Sequence, residues 1–132
     1  MRIARSMLDE IVAQARSEAP NECCGIVGTR DGRAVTVYPV RNAAASPLRY
    51  EIDPQDQLRV FEELDDADLE IGAIYHSHTR SAPEPSQTDI NLAFYPDAVY
   101  VIVGVAGEDD DVRAWRIVDG KVSVASLDVE DS

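Results

Sequence analysis

Leu8, Ile11, Val12 and Ala15 recur at helical spacing, and Pro20 marks the end of that stretch. Ser6, with Asp9 three residues on, reads as the capping box that opens the helix. Two runs of strand length follow, Cys23 to Thr29 and Ala34 to Val40, joined by the turn Arg30-Asp31-Gly32-Arg33. Asn42 to Pro47 is small and polar and reads as a loop. Asp53-Pro54 has the form of an N-cap and first helical position, with Leu58, Phe61 and Leu64 on one face of the helix it opens. Ile71 to Tyr75 reads as a strand, Ser77 to Pro85 as a polar loop, and Ser86 to Ala93 as a short helix. Ala98 to Val105 is almost wholly apolar, which predicts a central strand buried on both faces. Val112 to Val118 and Lys121 to Ala125 are strands joined by the hairpin signal Asp119-Gly120. The order α, β, β, α, β, α, β, β, β predicts an α+β (α/β) fold, one mixed central β-sheet flanked by helices.

Composition narrows the class. At 132 residues the chain has room for one core, so residues 1–132 are expected to form a single domain ending in an acidic tail, 126–132. Apolar residues make up 45% and charged residues 28%, ordinary for a globular protein. No run reaches the roughly 18 apolar residues of a membrane span, and the first residues lack the uncharged core of a signal peptide. A cytoplasmic location without membrane association is the expectation. Twelve basic residues against 25 acidic ones give a net charge of −13. Such a surface repels phosphate backbones, so nucleic acid is not expected as a partner. The acidic clusters Glu62 to Asp68, Glu108 to Asp111 and Asp128 to Asp131 read as solvated faces or turns. Cys23 and Cys24 are adjacent, a placement that strains a disulfide and reads as two small buried hydrophobes.

The chain has two histidines, and they are His76 and His78. Two residues apart on extended backbone, their side chains point to the same side and can reach one metal ion. A catalytic zinc takes three protein ligands and leaves a fourth position open. Asp89 is the candidate third ligand, in the first turn of the helix after the loop. Ser86-Gln87-Thr88-Asp89 is also a capping-box pattern, and a helix start can hold a ligand rigidly.

His-x-His, seven residues, Ser, two residues, Asp is the spacing of His76, His78, Ser86 and Asp89. It resembles the motif of the JAMM (MPN+) zinc metallopeptidases, and Glu22 in Asn21-Glu22-Cys23-Cys24-Gly25 stands where that family carries an upstream glutamate. The resemblance covers roughly residues 6 to 125. It implies the family's cytidine-deaminase-like architecture, with His76, His78 and Asp89 as ligands of Zn2+. It implies Glu22 as the general base that takes a proton from the attacking water, and Ser86 as a hydrogen-bond donor to the oxyanion. Whether a Ser86 hydroxyl engaged in capping can also serve the oxyanion is open at this stage.

The short stretches between Gly28 and His76 and after Asp89 leave little room for the insertions of eukaryotic deubiquitinases. Tyr75 to Thr79, Pro85-Ser86 with Thr88-Asp89, Tyr100 to Val103, Arg116 to Gly120, and Asn42 with Ser46-Pro47 and Asp53-Pro54 resemble compact bacterial members of the family. Those members release cysteine from the C-terminal Gly-Gly of a ubiquitin-like sulfur-carrier protein of the CysO type, a step of cysteine biosynthesis. Arg49, Tyr50, Thr79 and Arg80 are candidate contacts for the carrier tail or the released carboxylate. The alternatives are trimming of another sulfur carrier or ubiquitin-like protein (thiamine, molybdopterin or siderophore pathways) and a non-catalytic MPN scaffold. A homodimer is left open. A zinc nucleobase deaminase is excluded, since it needs a Cys-x-x-Cys pair.

Overall fold

The apolar runs form the inner strands of one sheet in the computed structural model, which describes residues 1–131. In chain order the elements are β1 (Arg2–Ala4), α1 (Arg5–Glu18), β2 (Cys24–Arg30), β3 (Arg33–Val40), α2 (Pro54–Asp66), β4 (Glu70–His78), α3 (Gln87–Asn91), β5 (Val99–Gly104), β6 (Asp111–Val118), β7 (Lys121–Val124) and β8 (Asp128–Glu130). The eight strands lie in the order β7-β6-β5-β4-β2-β3-β1-β8. Pairing is mixed: β4 runs parallel to β5 and antiparallel to β2, so the expected α+β fold with a mixed sheet is what forms.

Alternation along the inner strands builds two cores. Ala73 and Tyr75 of β4 meet Leu8, Ile11 and Ala15 of α1 on one face, together with Val27 and Val101. Ile74, one residue out of phase, meets Val60 and Leu64 of α2 on the other, with Ile26, Tyr100 and Ile117. His76 and His78 continue the Ile74 register, so both belong to the α2 side. The two predicted hairpin turns form with left-handed backbone at Asp31 and Gly32 and at Asp119 and Gly120, the conformation that matches the twist of the flanking strands.

Several expectations are corrected. Ser6 does not cap α1: the helix begins at Arg5, and Ala4 at the N-cap makes no side-chain bond. β1 leads straight into the helix, so strand pairing rather than a capping hydroxyl fixes where it starts. Leu58 is 62% exposed; Leu64 and Phe61 do face inward, and Val60 takes the remaining core position of α2. β4 does not stop at Tyr75 but extends through His78 because β5 pairs with it as far as Gly104. α3 is shorter than expected, ending at Asn91. The acidic tail is not wholly solvated. Residues Asp128–Glu130 pair with Arg2–Ala4, the amino terminus donates to the Ser126 carbonyl at 2.9 Å, and Arg33 bridges to Glu130 at 2.5 Å. Cys23 and Cys24 are free and fully buried, as expected. Among the described residues no helix is long and apolar enough to cross a membrane.

Candidate metal centre

Three pieces of chain converge at the end of β4. The antiparallel register with β2 sets Cys24 opposite His76, which brings Glu22 to the same end of the sheet. A pair of bonds staples that entry. The Cys23 N–H donates to Ser77 Oγ at 2.8 Å, and the Ser77 N–H donates to the Cys23 carbonyl at 3.2 Å. Ser77 faces the α1 side, so its neighbours His76 and His78 are left facing the site.

The third piece is the start of α3. The Asp89 N–H donates to Ser86 Oγ at 3.1 Å, and the Ser86 N–H donates to Asp89 Oδ2 at 2.9 Å. This reciprocal capping box fixes the Asp89 carboxylate. Its Oδ2 then stands 3.2 Å from His76 Nε2 and 3.0 Å from His78 Nε2. The two Nε2 atoms are 3.2 Å apart. A carboxylate oxygen of Glu22 lies within 4.8 Å of ligand atoms on both histidines. Glu22, His76, His78 and Asp89 are all buried, each at most 4% exposed.

The donor set fits a metal ion. His78 Nδ1 lies 2.8 Å from the Ala82 carbonyl. A carbonyl only accepts, so Nδ1 carries a hydrogen and Nε2 of the neutral ring is a lone pair. That lone pair faces a carboxylate oxygen and a second imidazole, and acceptors do not attract one another without a proton or a cation between them. Separations of 3.0 to 3.2 Å are close to the edge of a tetrahedron with bonds of about 2.0–2.1 Å, the lengths zinc forms with His nitrogen and carboxylate oxygen. Glu22 Oε1 is buried and has no hydrogen-bond partner among the described residues, so it is free for chemistry rather than committed to structure.

The electrostatics follow from burial and these contacts. Burial pushes the Glu22 carboxyl up from 4.5 to about 8, with His78 only partly opposing. Burial lowers the His76 imidazole. It acts the same way on His78, but there the bonds to Asp89 and to the Ala82 carbonyl win and raise it. Burial alone would raise Asp89, yet its bonds with His76 and His78 hold it well below the usual carboxylate range.

The remaining candidates fall at different depths. Tyr50 is buried, 3% exposed, and stacks on His76 with ring centroids 4.3 Å apart and planes 21° from parallel. Thr79 spends its hydroxyl on the Pro20 carbonyl at 2.9 Å. Arg49 is exposed and 3.9 Å from Glu51, and Arg80 is exposed on the loop after β4. A cleft of about 440 Å³, lined by Arg49, Tyr50, Glu51, Gln57, Phe94 and Tyr95 among others, adjoins His76 through the stacked Tyr50 ring. Asn42, to which no role falls from sequence, is buried and bonded to the main chain of Glu22. Asparagine in a polar loop gives no sequence signal for that role.

Residues 4–118 match the family described as prokaryotic homologs of the JAB domain. The chain is 38% identical to a CysO-cysteine peptidase of Mycobacterium tuberculosis over 130 residues, 96% of this chain and 89% of the relative. It is 38% identical to a desampylase of Haloferax volcanii over 112 residues, 80% of this chain and 81% of that relative. A solved structure of a Desulfitobacterium hafniense protein superposes with a TM-score of 0.89 at 28% identity, covering 100% of this chain and 94% of that one.

Proposed function

Because the chain belongs to the prokaryotic JAB family of JAMM domains, we propose that it is a zinc-dependent peptidase that cleaves after the C-terminal Gly-Gly of a ubiquitin-like sulfur carrier. In the favoured reading the released group is cysteine. The observation that carries the chemistry is the convergence of His76 Nε2, His78 Nε2 and Asp89 Oδ2 within 3.2 Å of one another, beside a buried and unpartnered Glu22 oxygen. The relatives named as a CysO-cysteine peptidase and a desampylase support the substrate class.

In this reading His76, His78 and Asp89 hold the zinc. Bound there, zinc acts as a Lewis acid that acidifies water to near neutral pH and polarises the scissile carbonyl. Glu22 is the general base. Its unpartnered oxygen takes a proton from the attacking water as the new C–O bond forms, and returns one to the amine nitrogen as the C–N bond breaks. Burial raises its proton affinity in the metal-free site, and a cation held by His76, His78 and Asp89 would offset that rise and favour the ionised carboxylate a base requires. Ser86 can serve both its tasks. A hydroxyl has lone pairs and one hydrogen; a lone pair accepts from the Asp89 N–H, which leaves the hydrogen to donate to the carbonyl oxygen as negative charge develops. A Gly-Gly tail suits the approach because it lacks side chains that would obstruct a narrow path to buried groups. The cleft beside Tyr50, with Arg49 and Glu51 at its wall, offers room for the carrier segment that precedes the tail.

The test is intact-mass spectrometry of a CysO-type carrier ending in Gly-Gly-Cys, incubated with the protein with and without a zinc chelator. Loss of one cysteine residue, blocked by chelator, is expected. A carrier left intact by zinc-loaded protein would overturn cysteine release and turn the search to carriers joined to a lysine side chain, the substrate class of a conjugate-cleaving enzyme.

A further inference from the structure

His76 differs from His78 in how its ring is held. His78 is oriented by the bond between its Nδ1 and the Ala82 carbonyl at 2.8 Å. His76 Nδ1 is buried and has no hydrogen-bond partner among the described residues. Ligand histidines ordinarily rely on such a bond to fix the ring. What touches His76 instead is the face of Tyr50, nearly parallel at 4.3 Å.

Tyr50 lies in the segment between β3 and α2, and one side chain governs that segment. Asn42 makes four hydrogen bonds. Its Nδ2 donates to the carbonyls of Glu22 and Arg49 at 3.0 and 3.1 Å. Its Oδ1 accepts from the N–H groups of Ala44 and Glu51 at 3.0 and 2.9 Å. Arg49 and Glu51 flank Tyr50, so Asn42 grips both neighbouring residues of the tyrosine that packs on His76. The same amide grips the main chain of Glu22, whose N–H is held by the Ser46 carbonyl of the same loop at 2.9 Å. Every donor and acceptor of this buried amide is used, which leaves the loop few alternative arrangements.

We infer that Asn42 and Tyr50 are positioning residues that act as one unit: Asn42 locks the 42–52 loop so that Tyr50 sets the ring plane of His76 while the same lock sets the backbone of Glu22. The inference rests on the reading above that His76 is a zinc ligand. Stacking replaces the missing Nδ1 bond, and the base and one ligand share a single support.

The experiment measures zinc affinity by chelator competition, and the visible absorption spectrum of the cobalt(II)-substituted protein, for wild type, Tyr50→Phe, Tyr50→Leu, Asn42→Ala and the Tyr50→Leu/Asn42→Ala double variant. Tyr50→Phe keeps the stacked ring and is expected to bind zinc within about twofold of wild type. Tyr50→Leu and Asn42→Ala are each expected to bind at least about tenfold more weakly, the scale of losing an outer-shell support, with a changed cobalt spectrum. The double variant is expected to lose little beyond the worse single one, because the two act through one unit. Single variants that bind zinc as tightly as wild type, or fully additive losses, would overturn the inference while leaving the metal site intact. Wild type that binds no zinc would overturn the metal reading itself. If Asn42→Ala fails to fold, Asn42→Asp replaces it. That variant keeps the Oδ1 acceptor and loses both Nδ2 donors, and zinc affinity equal to wild type would again defeat the inference.

Discussion

The Nδ1 of His78 lies 2.8 Å from the carbonyl oxygen of Ala82, and this contact fixes which nitrogen of the ring is free to bind. With Nδ1 donating, Nε2 faces Asp89 Oδ2 at 3.0 Å, so a metal-free site needs a proton in that gap. Bonds to Asp89 and the Ala82 carbonyl outweigh burial and raise His78, so both contacts favour the protonated ring in the metal-free site. Zinc must expel that proton. Calorimetric titration of metal-free protein with zinc, repeated in buffers of different ionisation enthalpy, is expected to show net proton release. A binding heat that does not depend on the buffer would contradict the assignment. His78→Ala and Asp89→Ala are expected to abolish stoichiometric zinc in metal analysis of the purified protein.

Glu22 separates metal binding from turnover. Glu22→Gln keeps the shape and removes the base, so zinc content is expected to stay at one per chain while kcat falls about 10²- to 10⁴-fold. The same variant tests the burial of the carboxyl in metal-free protein. Burial raises the folded-state value from 4.5 to about 8, so between those values the folded protein retains a proton that the unfolded chain gives up. The associated stability is complete below 4.5 and is lost as pH rises through about 8. Glu22→Gln does not titrate. In excess chelator its melting temperature relative to wild type is therefore expected to climb as pH is raised from 4.5 to 8. Parallel melting curves across that window would show that Glu22 is not desolvated.

Ser86 has two separable jobs. Its lone pair caps α3 by accepting from Asp89 at 3.1 Å, and its hydrogen is assigned to the oxyanion. Ser86→Ala is expected to lower stability by about 1 kcal/mol, the usual cost of losing an N-cap, and to lower kcat by about 10²- to 10³-fold with a small change in KM. Thermal melts and steady-state kinetics on the same preparation resolve the two effects. A kcat near wild type would leave Ser86 as a cap alone.

What could be read from sequence depended on how local the determinant was. The His76-Ser77-His78 spacing works because side chains two apart on a strand share a face, and the Ser86–Asp89 box forms from residues three apart. Asp119-Gly120 takes the left-handed backbone its residue types favour. Distant determinants stayed hidden. β1 and β8 are three residues each and pair the two ends of the chain, so neither has a periodicity to detect. Ser6 offers a sound cap locally, but pairing of β1 sets the helix start instead. Asn42 looks like an ordinary loop residue until folding brings the Glu22 carbonyl to its amide. Tyr50 is a candidate tail contact from sequence, and its stacking on His76 becomes visible only when the 42–52 loop folds against β4.

Gly25 offers a stability test close to the centre but outside its chemistry. A Cβ at this position would lie 2.1 Å from Tyr75 Cζ. Tyr75 cannot easily retreat, because its ring is fully buried and its hydroxyl donates to Gln14 Oε1 at 2.5 Å. Gln14 in turn donates to the Cys24 carbonyl at 3.1 Å, so α1, β2 and β4 are fastened together at the one place where the glycine lets the tyrosine pass. Gly25→Ala must displace that ring, and overpacking of this kind costs about 1–3 kcal/mol. Chemical denaturation is expected to show a lower midpoint with an unchanged slope. Gly25→Ala combined with Tyr75→Phe, which removes the hydroxyl and its tether, is expected to recover part of the loss. A single variant as stable as wild type would mean that the packing of Tyr75 between α1 and β2 is looser than the 2.1 Å approach implies.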